Sequence, residues 1–315
     1  MFSRLSIPTP FQVGPVNAYL AGRTLVDPGP DSEEAWAKLL AALEERDLSA
    51  DDVEQVLITH PHPDHFGVAH RLRERGARVL ASPEARSIVE DFPARLEHEQ
   101  AYFVDFFEQC GMARETAETV TNLPEAFLAY ATSVDVDREL GPGDDVTVDD
   151  VQLTADAVTG HAPGELLFAF EAGDERHALV GDNVLADITP NPFLQPPPES
   201  GGPRPRVLPG YNESLRALRA DSYDRFLTGH REPIDDPAGR IDAILTEHDE
   251  RTDDVAAAVD GPTTPVEVMG DLFGDLPATE QFSGMSEAVG HLDVLEEREI
   301  VTKRERGGLV VYEPV

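Results

Sequence analysis

The segment Val53–Gly67 starts as an apolar run, with Val53, Val56, Leu57 and Ile58, and turns at Thr59 into THPHPDHFG. The run predicts a buried strand, and the polar segment at its end restricts the fold more than any other feature of the chain. His60 and His62 are two residues apart, so extended backbone points both rings to one side. Pro61 and Pro63 stiffen that stretch and remove two backbone donors. Asp64 and His65 then open a helix and point elsewhere. Metal-type side chains split into two directions suit two adjacent ions better than one.

Three further strand ends repeat the form of an apolar run followed by a polar cluster. DAVTGH supplies His161, ALVGDN supplies Asp182 and RFLTGH supplies His230. In open α/β architectures ligands gather at the carboxyl ends of strands, and four strands delivering such side chains to one edge is what a metal site needs. His70, His98, His177, His248 and His291 have no comparable context and read as surface or structural residues. The single cysteine, Cys110, excludes an intrachain disulfide and a cysteine-built zinc finger. A metal would therefore be held by imidazole and carboxylate, a set that suits zinc, iron or manganese, with zinc as the default.

Around the motif the chain alternates strand and helix, which predicts an α/β fold. VNAYLAG and RTLVDPGP read as strands. Residues 32–47 read as a helix capped by Asp31 with Glu34 behind it. Residues 64–75 read as a second helix and 77–82 as a strand. Residues 84–131 read as helical, with Phe103, Phe106, Phe107 and Cys110 on one face. That face is expected to pack against the sheet or a second subunit, or, as a sharper alternative, to wall the substrate cleft. Strands resume after residue 133. Eight prolines between 189 and 210 predict a stiff surface loop. Beyond Pro237 come a helix over 238–260 and a second capped by Thr264, with Pro265 and Glu267 behind it. A third buries Met285, Ala288, Val289, Leu292 and Leu295, and a hairpin turns at Gly307-Gly308. Three helices and a hairpin read as a winged-helix domain, dividing the chain into residues 1–237 and 238–315.

Charge is one-sided: 61 Asp and Glu against 25 Lys and Arg, net −36, with Lys38 and Lys303 the only lysines. Regular apolar periodicity argues against disorder. The acidity resembles that of proteins from salt-loving microbes, for which the Debye length is roughly 3 Å in molar salt, so net charge alone does not exclude nucleic acid. No apolar run reaches membrane-spanning length, and MFSRLSIPTPF lacks the apolar core of a secretory signal. A cytoplasmic protein is expected.

HPHPDH, then TGH, GD and a second TGH, in that order over residues 60–230, resembles the signature of the metallo-β-lactamase superfamily. With VNAYL and LVDPG the likeness covers about residues 1–235. It implies a four-layer αβ/βα sandwich and two ions. His60, His62 and His161 would hold one ion, and Asp64, His65 and His230 the other. Asp182 would bridge them, and Asp27 would stand behind the ligands. The third block is VTGH, without the proline usual in the family, but its histidine is in place. The tail, with GPTTPVEVMGDLF and AVGHLDVLEEREIV, looks like that of a lactamase-beta-like group that includes an endoribonuclease and glyoxalase II-like proteins.

The expected activity is attack by a metal-bound hydroxide on a small thioester, ester or lactone, with Asp64 also orienting the nucleophile. The alternatives are an endoribonuclease and a persulfide dioxygenase using one iron. In the cleft alternative Phe103, Phe106 and Phe107 would cover an acyl group, and Arg204 and Arg206 would suit a substrate carboxylate. RNA would want a longer basic track. The third helix of the tail is acidic, with Glu287, Asp293, Glu296, Glu297 and Glu299 against Arg298. Lys303, Arg304 and Arg306 make a small basic tip on the wing. The tail is therefore expected to serve packing or homodimer formation before nucleic-acid binding.

Overall fold

Strand VNAYLA is buried at all six positions, which requires cover on both faces. The computed structural model describes residues 2–198 and 202–315 and shows how that cover is built. Residues 199–201 of the proline-rich loop expected at 189–210 lie outside the described residues, and the described residues of that loop before Val207 form no helix or strand. The chain forms two compact units. One comprises Met1–Pro93, Ala126–Pro190 and Ala217–Ile241; the other comprises Ala94–Glu125, Asn191–Arg216 and Asp242–Val315.

The first unit holds two sheets. One has the order β1 (Ser3–Ile7), β2 (Val16–Ala21), β3 (Thr24–Val26), β4 (Gln55–Leu57), β5 (Arg78–Ala81), β6 (Arg138–Glu139). It is antiparallel from β1 to β3 and parallel from β3 to β6. The other sheet contains β7 (Asp145–Val148), β8 (Val151–Ala157), β9 (Leu166–Ala172), β10 (Glu175–Gly181) and β11 (Arg225–Thr228), ordered β11-β10-β9-β8-β7. Only β10–β11 is parallel in it. Tyr19, Val26, Leu57 and Leu80 from the first sheet join Leu153, Leu166, Phe168 and Leu179 from the second in one buried cluster. The sheets are thus packed face to face, the centre of the expected sandwich. The far face of the first sheet carries Leu25, Val56 and Val79 under α1 (Glu33–Glu44), α2 (Pro63–Phe66), α3 (Ala69–Arg73) and α4 (Pro83–Val89).

Two local expectations need correction. Ser32, not Asp31, caps α1, its Oγ accepting from Ala35 N at 3.1 Å. The Asp31 carboxylate is taken by His70, Arg71 and Thr132. The helix expected over 64–75 is broken into α2 and α3 at Gly67. A Cβ there would lie 2.2 Å from Asp31 N and 2.3 Å from Tyr130 O, so the break lets two other segments pass against the backbone.

The second unit is mostly helical. It draws on α5 (Phe92–Gln109), α6 (Arg114–Asn122), α7 (Val207–Ala220), α8 (Pro237–Ala258), α9 (Pro265–Phe273) and α10 (Ala278–Glu297), and ends in the hairpin β12 (Val301–Arg306), β13 (Leu309–Pro314). Thr264 and Glu267 form a full capping box on α9, with Pro265 in its first turn. The helical stretch expected at 84–131 is interrupted at Gly111, whose φ of +100° would strain any residue with a side chain. Phe103 and Phe107 on α5 and Cys110 just after it are almost fully buried, together with Met285, Leu292 and Val268. Phe282 packs at 5.0 Å from Phe103 and 5.4 Å from Phe107 between ring centroids. Their partner is therefore the C-terminal helix pair of the same chain, not the sheet, a second subunit or a substrate cleft. Each such ring contributes about 1.5–3 kcal/mol by burial. This packing also explains why Ala94–Glu125 groups with the C-terminal segment. Among the described residues no helix is long and apolar enough to cross a membrane.

Candidate metal centre

The candidate ligands come from strand ends of both sheets, not from one sheet edge. His60 follows β4 by way of Ile58 and Thr59, Asp182 directly follows β10, and His230 follows β11 after Gly229. His161 comes from the loop between β8 and β9. These side chains meet in two groups, His60/His62/His161 and Asp64/His65/His230, and within each group the donor atoms lie within 4.8 Å of one another. Asp182 stands between the groups. Its Oδ2 is 3.8 Å from Nε2 of His161 in the first, and 3.6 Å and 3.5 Å from Nε2 of His65 and His230 in the second. All seven residues named from the sequence are brought together.

The rings are oriented from behind. His230 Nδ1 donates to Pro15 O at 2.8 Å, since a carbonyl can only accept. His65 Nδ1 meets Asp27 Oδ2 at 3.0 Å. Thr59 donates its hydroxyl proton to the same oxygen at 2.6 Å, so its lone pair accepts from His60 Nδ1 at 3.0 Å. Three histidines thus have Nδ1 engaged, which turns Nε2 toward the centre. Those three Nε2 atoms and Asp182 Oδ1 are buried with no hydrogen-bond partner. Bare imidazole nitrogens facing buried carboxylates fit divalent cations. Asp27 can also be grouped with His60 and His65, but both its oxygens are occupied, Oδ1 by Thr59 N at 2.9 Å. It orients ligands from a left-handed backbone conformation, φ +50°.

Electrostatics divide the centre. Burial drives the His60 imidazole well below its ordinary range, helped by His65 and His62. Burial and then His161 bring His62 down to about 3. For His65 burial also opposes the cation, but the carboxylates of Asp182, Asp27 and Asp64 outweigh it and raise the imidazole. His230 is raised against burial by Asp182 and Asp64. Asp182 and Asp64 are lowered despite burial, Asp182 by His230 and His65, and Asp64 by His65 and His230. Three carboxylates, those of Asp27, Asp64 and Asp182, are buried here.

Several supporting residues carry no spacing signal. Asn17 Nδ2 donates to Thr228 O and Arg231 O at 3.0 and 2.8 Å, and Tyr19 Oη donates to Thr228 O at 2.9 Å. The strand VNAYL thereby holds the turn that presents His230. Gly229 is required by close approach: a Cβ on it would lie 2.2 Å from Asp182 Oδ1 and 2.8 Å from His65 Cε1. Glu165, buried at 3% exposure, closes the His161 loop, and burial pushes its carboxyl up to about 8.

The arginines expected to face a substrate are committed elsewhere. Arg204 makes a buried ion pair with Asp293 at 2.6 Å, and Arg206 pairs with Glu296 at 2.6 Å. The basic tip of the hairpin is likewise countered, Arg304 and Arg306 both pairing with Glu313.

Comparison with known proteins identifies the family. The family model described as the metallo-beta-lactamase superfamily matches residues 12–230. The probable metallo-hydrolase YqjP of Bacillus subtilis is 29% identical over 313 residues, covering 98% of this chain and 96% of that protein. The crystal structure of the metallo-beta-lactamase family protein TTHA1429 from Thermus thermophilus superposes with a TM-score of 0.80 at 27% identity, covering 100% of this chain and 98% of that one. A beta-lactamase domain protein from Burkholderia ambifaria has a TM-score of 0.78 at 24% identity, covering 99% and 92%, and so shares the fold.

Proposed function

The chain belongs to the metallo-β-lactamase superfamily and is a metal-dependent hydrolase, and we propose that it works with two divalent ions, zinc by default, on a small acyl substrate: a thioester, ester or lactone. The observation that carries the dinuclear reading is the place of Asp182 Oδ2, within 3.8 Å of imidazole nitrogens from both ligand groups. His60, His62 and His161 would hold one ion, Asp64, His65 and His230 the other, and Asp182 both. Such a pair, when bound, acidifies a shared water and polarises the oxygen of an electrophile. The protein's own part is to engage Nδ1 of His60, His65 and His230 through Thr59, Asp27 and Pro15 O, which aims each Nε2 inward as the ligand atom. Asp64, kept ionised against burial by His65 and His230, would orient the nucleophile as well as hold the second ion.

Charge favours a small substrate over RNA. An RNA backbone needs a basic track, and the arginines of the loop and hairpin are paired with carboxylates of this chain. The order α8, α9, α10 and hairpin supports a winged-helix reading of residues 238–315, used for packing. With Phe103, Phe106 and Phe107 buried among helices, the acyl reading no longer draws on them. It rests on the pairing of the loop and hairpin arginines.

The test is elemental analysis of protein purified without chelator, followed by a panel of acyl thioesters, esters, lactones and single-stranded RNA in molar potassium chloride. Two ions per chain and acyl turnover that disappears in His62→Ala and Asp182→Ala are expected. A single iron would replace this reading with the dioxygenase. RNA cleavage lost in His62→Ala, without acyl turnover, would replace it with the ribonuclease.

A further inference from the structure

His161 differs from the other members of its ligand group. His60 and His62 are fixed by the end of β4 and by two prolines, whereas His161 sits in a loop without regular structure between β8 and β9. Something must fix that loop, because metal–ligand distances tolerate only about 0.2 Å.

The geometry points to Glu165 as the positioning residue that sets His161 against Asp182. Its Oε2 accepts from His161 N at 2.9 Å and from Asn183 Nδ2 at 3.2 Å, and the carboxyl also takes the backbone N–H of Ala162. Asn183 is the chain neighbour of Asp182, and the same Nδ2 donates to Thr159 O at 3.2 Å. One buried carboxyl therefore ties the ligand on the loop to the residue beside the ligand on β10. The loop's neck is closed by Val158 N donating to Glu165 O at 3.2 Å. Its outer side is fixed by Ser82 Oγ donating to Gly164 O at 2.7 Å. With those two anchors in place, removing the Glu165 side chain frees the segment between them, which is where His161 lies. Loss of the Glu165 side chain also takes the acceptor away from these donors, which favours a shifted loop.

This inference rests on the dinuclear reading, in which His161 holds the first ion and has no part in the second. Loss of Glu165 should weaken one ion and spare the other. Groups behind metal ligands typically change affinity by about 10–100-fold.

The test uses metal-free full-length protein titrated with cobalt(II), followed by visible absorption, for wild type, Glu165→Ala, Glu165→Gln, Asn183→Ala and His62→Ala. Wild type should take up two equivalents. Glu165→Ala should bind one equivalent as wild type does and the other at least about tenfold more weakly, with the absorption of the surviving ion matching that of His62→Ala. Glu165→Gln keeps an oxygen for the same donors and should restore most of the lost affinity. Asn183→Ala removes one of the donors and should weaken the same equivalent to a smaller degree, so it carries the test if Glu165→Ala does not fold. Two equivalents at wild-type affinity in Glu165→Ala, or in Asn183→Ala where Glu165→Ala does not fold, would overturn the inference alone. Equal weakening of both equivalents would overturn it too, as would a Gln variant no better than Ala. A wild-type protein that takes up no cobalt would remove the metal reading and this inference with it.

Discussion

Gly229→Ala is the sharpest single perturbation of the centre. The added Cβ would sit 2.2 Å from Asp182 Oδ1 and 2.8 Å from His65 Cε1, where ordinary contact begins near 3.4 Å. The backbone at 229 is not in the left-handed region, so alanine brings no conformational strain and the effect is purely steric. The backbone cannot yield either: Gly229 N donates to Gly181 O and Gly229 O accepts from Asn17 N, both at 2.6 Å. The Asp182 carboxylate must therefore retreat by roughly 1 Å, several times the tolerance of about 0.2 Å for a metal ligand. Overpacking of this kind costs about 1–3 kcal/mol, and the stiffer unfolded chain returns about 0.4–1 kcal/mol, so the fold should lose about 0–2.6 kcal/mol and survive. Turnover should fall by about 100-fold or more, since a 1 Å misplacement is worth that much. Metal content after gel filtration, a thermal melt and turnover on the substrate found by the acyl panel are measured together. A variant with wild-type metal content and wild-type turnover would refute the argument that Asp182 needs this space.

Gly270→Ala is the control, since Gly270 lies inside α9 and a Cβ added to it would meet no atom within 4 Å. Helix propensity alone should stabilise the protein by about 0.8–1 kcal/mol, read by denaturant unfolding, with metal content unchanged. His248 predicts a pH dependence. Burial lowers it to about 4, so between about 6.5 and 4 the unfolded chain binds the extra proton. Its contribution is intact above pH 6.5 and is lost as pH falls toward 4, by about 2–3 kcal/mol. Unfolding free energies of wild type and His248→Gln across that range should show the steeper decline in wild type. With a net charge of −36, self-repulsion should weaken the fold in dilute buffer, so the melting temperature should climb from dilute to molar potassium chloride; a flat response would remove the salt-adapted reading.

The ligands are readable because their chemistry is rare and their spacing is local. HPHPDH places four donor side chains within a strand end and one helical turn, and the two directions inferred for His60/His62 and Asp64/His65 are the two groups in the structure. Asp182 and His230 are single residues after ordinary apolar strands, and only their order along the chain lends them weight. Asn17, Tyr19 and Glu165 cannot be found that way. Each acts through a hydrogen bond to backbone or amide elsewhere, such as Asn17 to Thr228 O and Arg231 O, and a polar residue that holds a distant carbonyl looks like any polar residue in a strand.

Periodicity also shows which face of a helix is buried without saying what buries it. The stripe Phe103, Phe106, Phe107 and Cys110 is apolar as its spacing implies, yet its partners are Phe282 and Met285, far along the chain. The same gap separates charge from its use. Arg204 and Arg206 stand out in the sequence as cations in a loop following the Asp182 strand, but each is answered by a carboxylate on α10, Asp293 and Glu296. Nothing in a loop's composition reveals that its counter-ions come from a distant helix. An acidic helix that reads as hostile to RNA is then, in part, a helix whose acids serve this chain's own arginines. The buried member of those pairs, Asp293, would be left as a lone buried carboxylate if Arg204 were removed, which is why the pair belongs to the packing of the helical unit and is not available to a substrate.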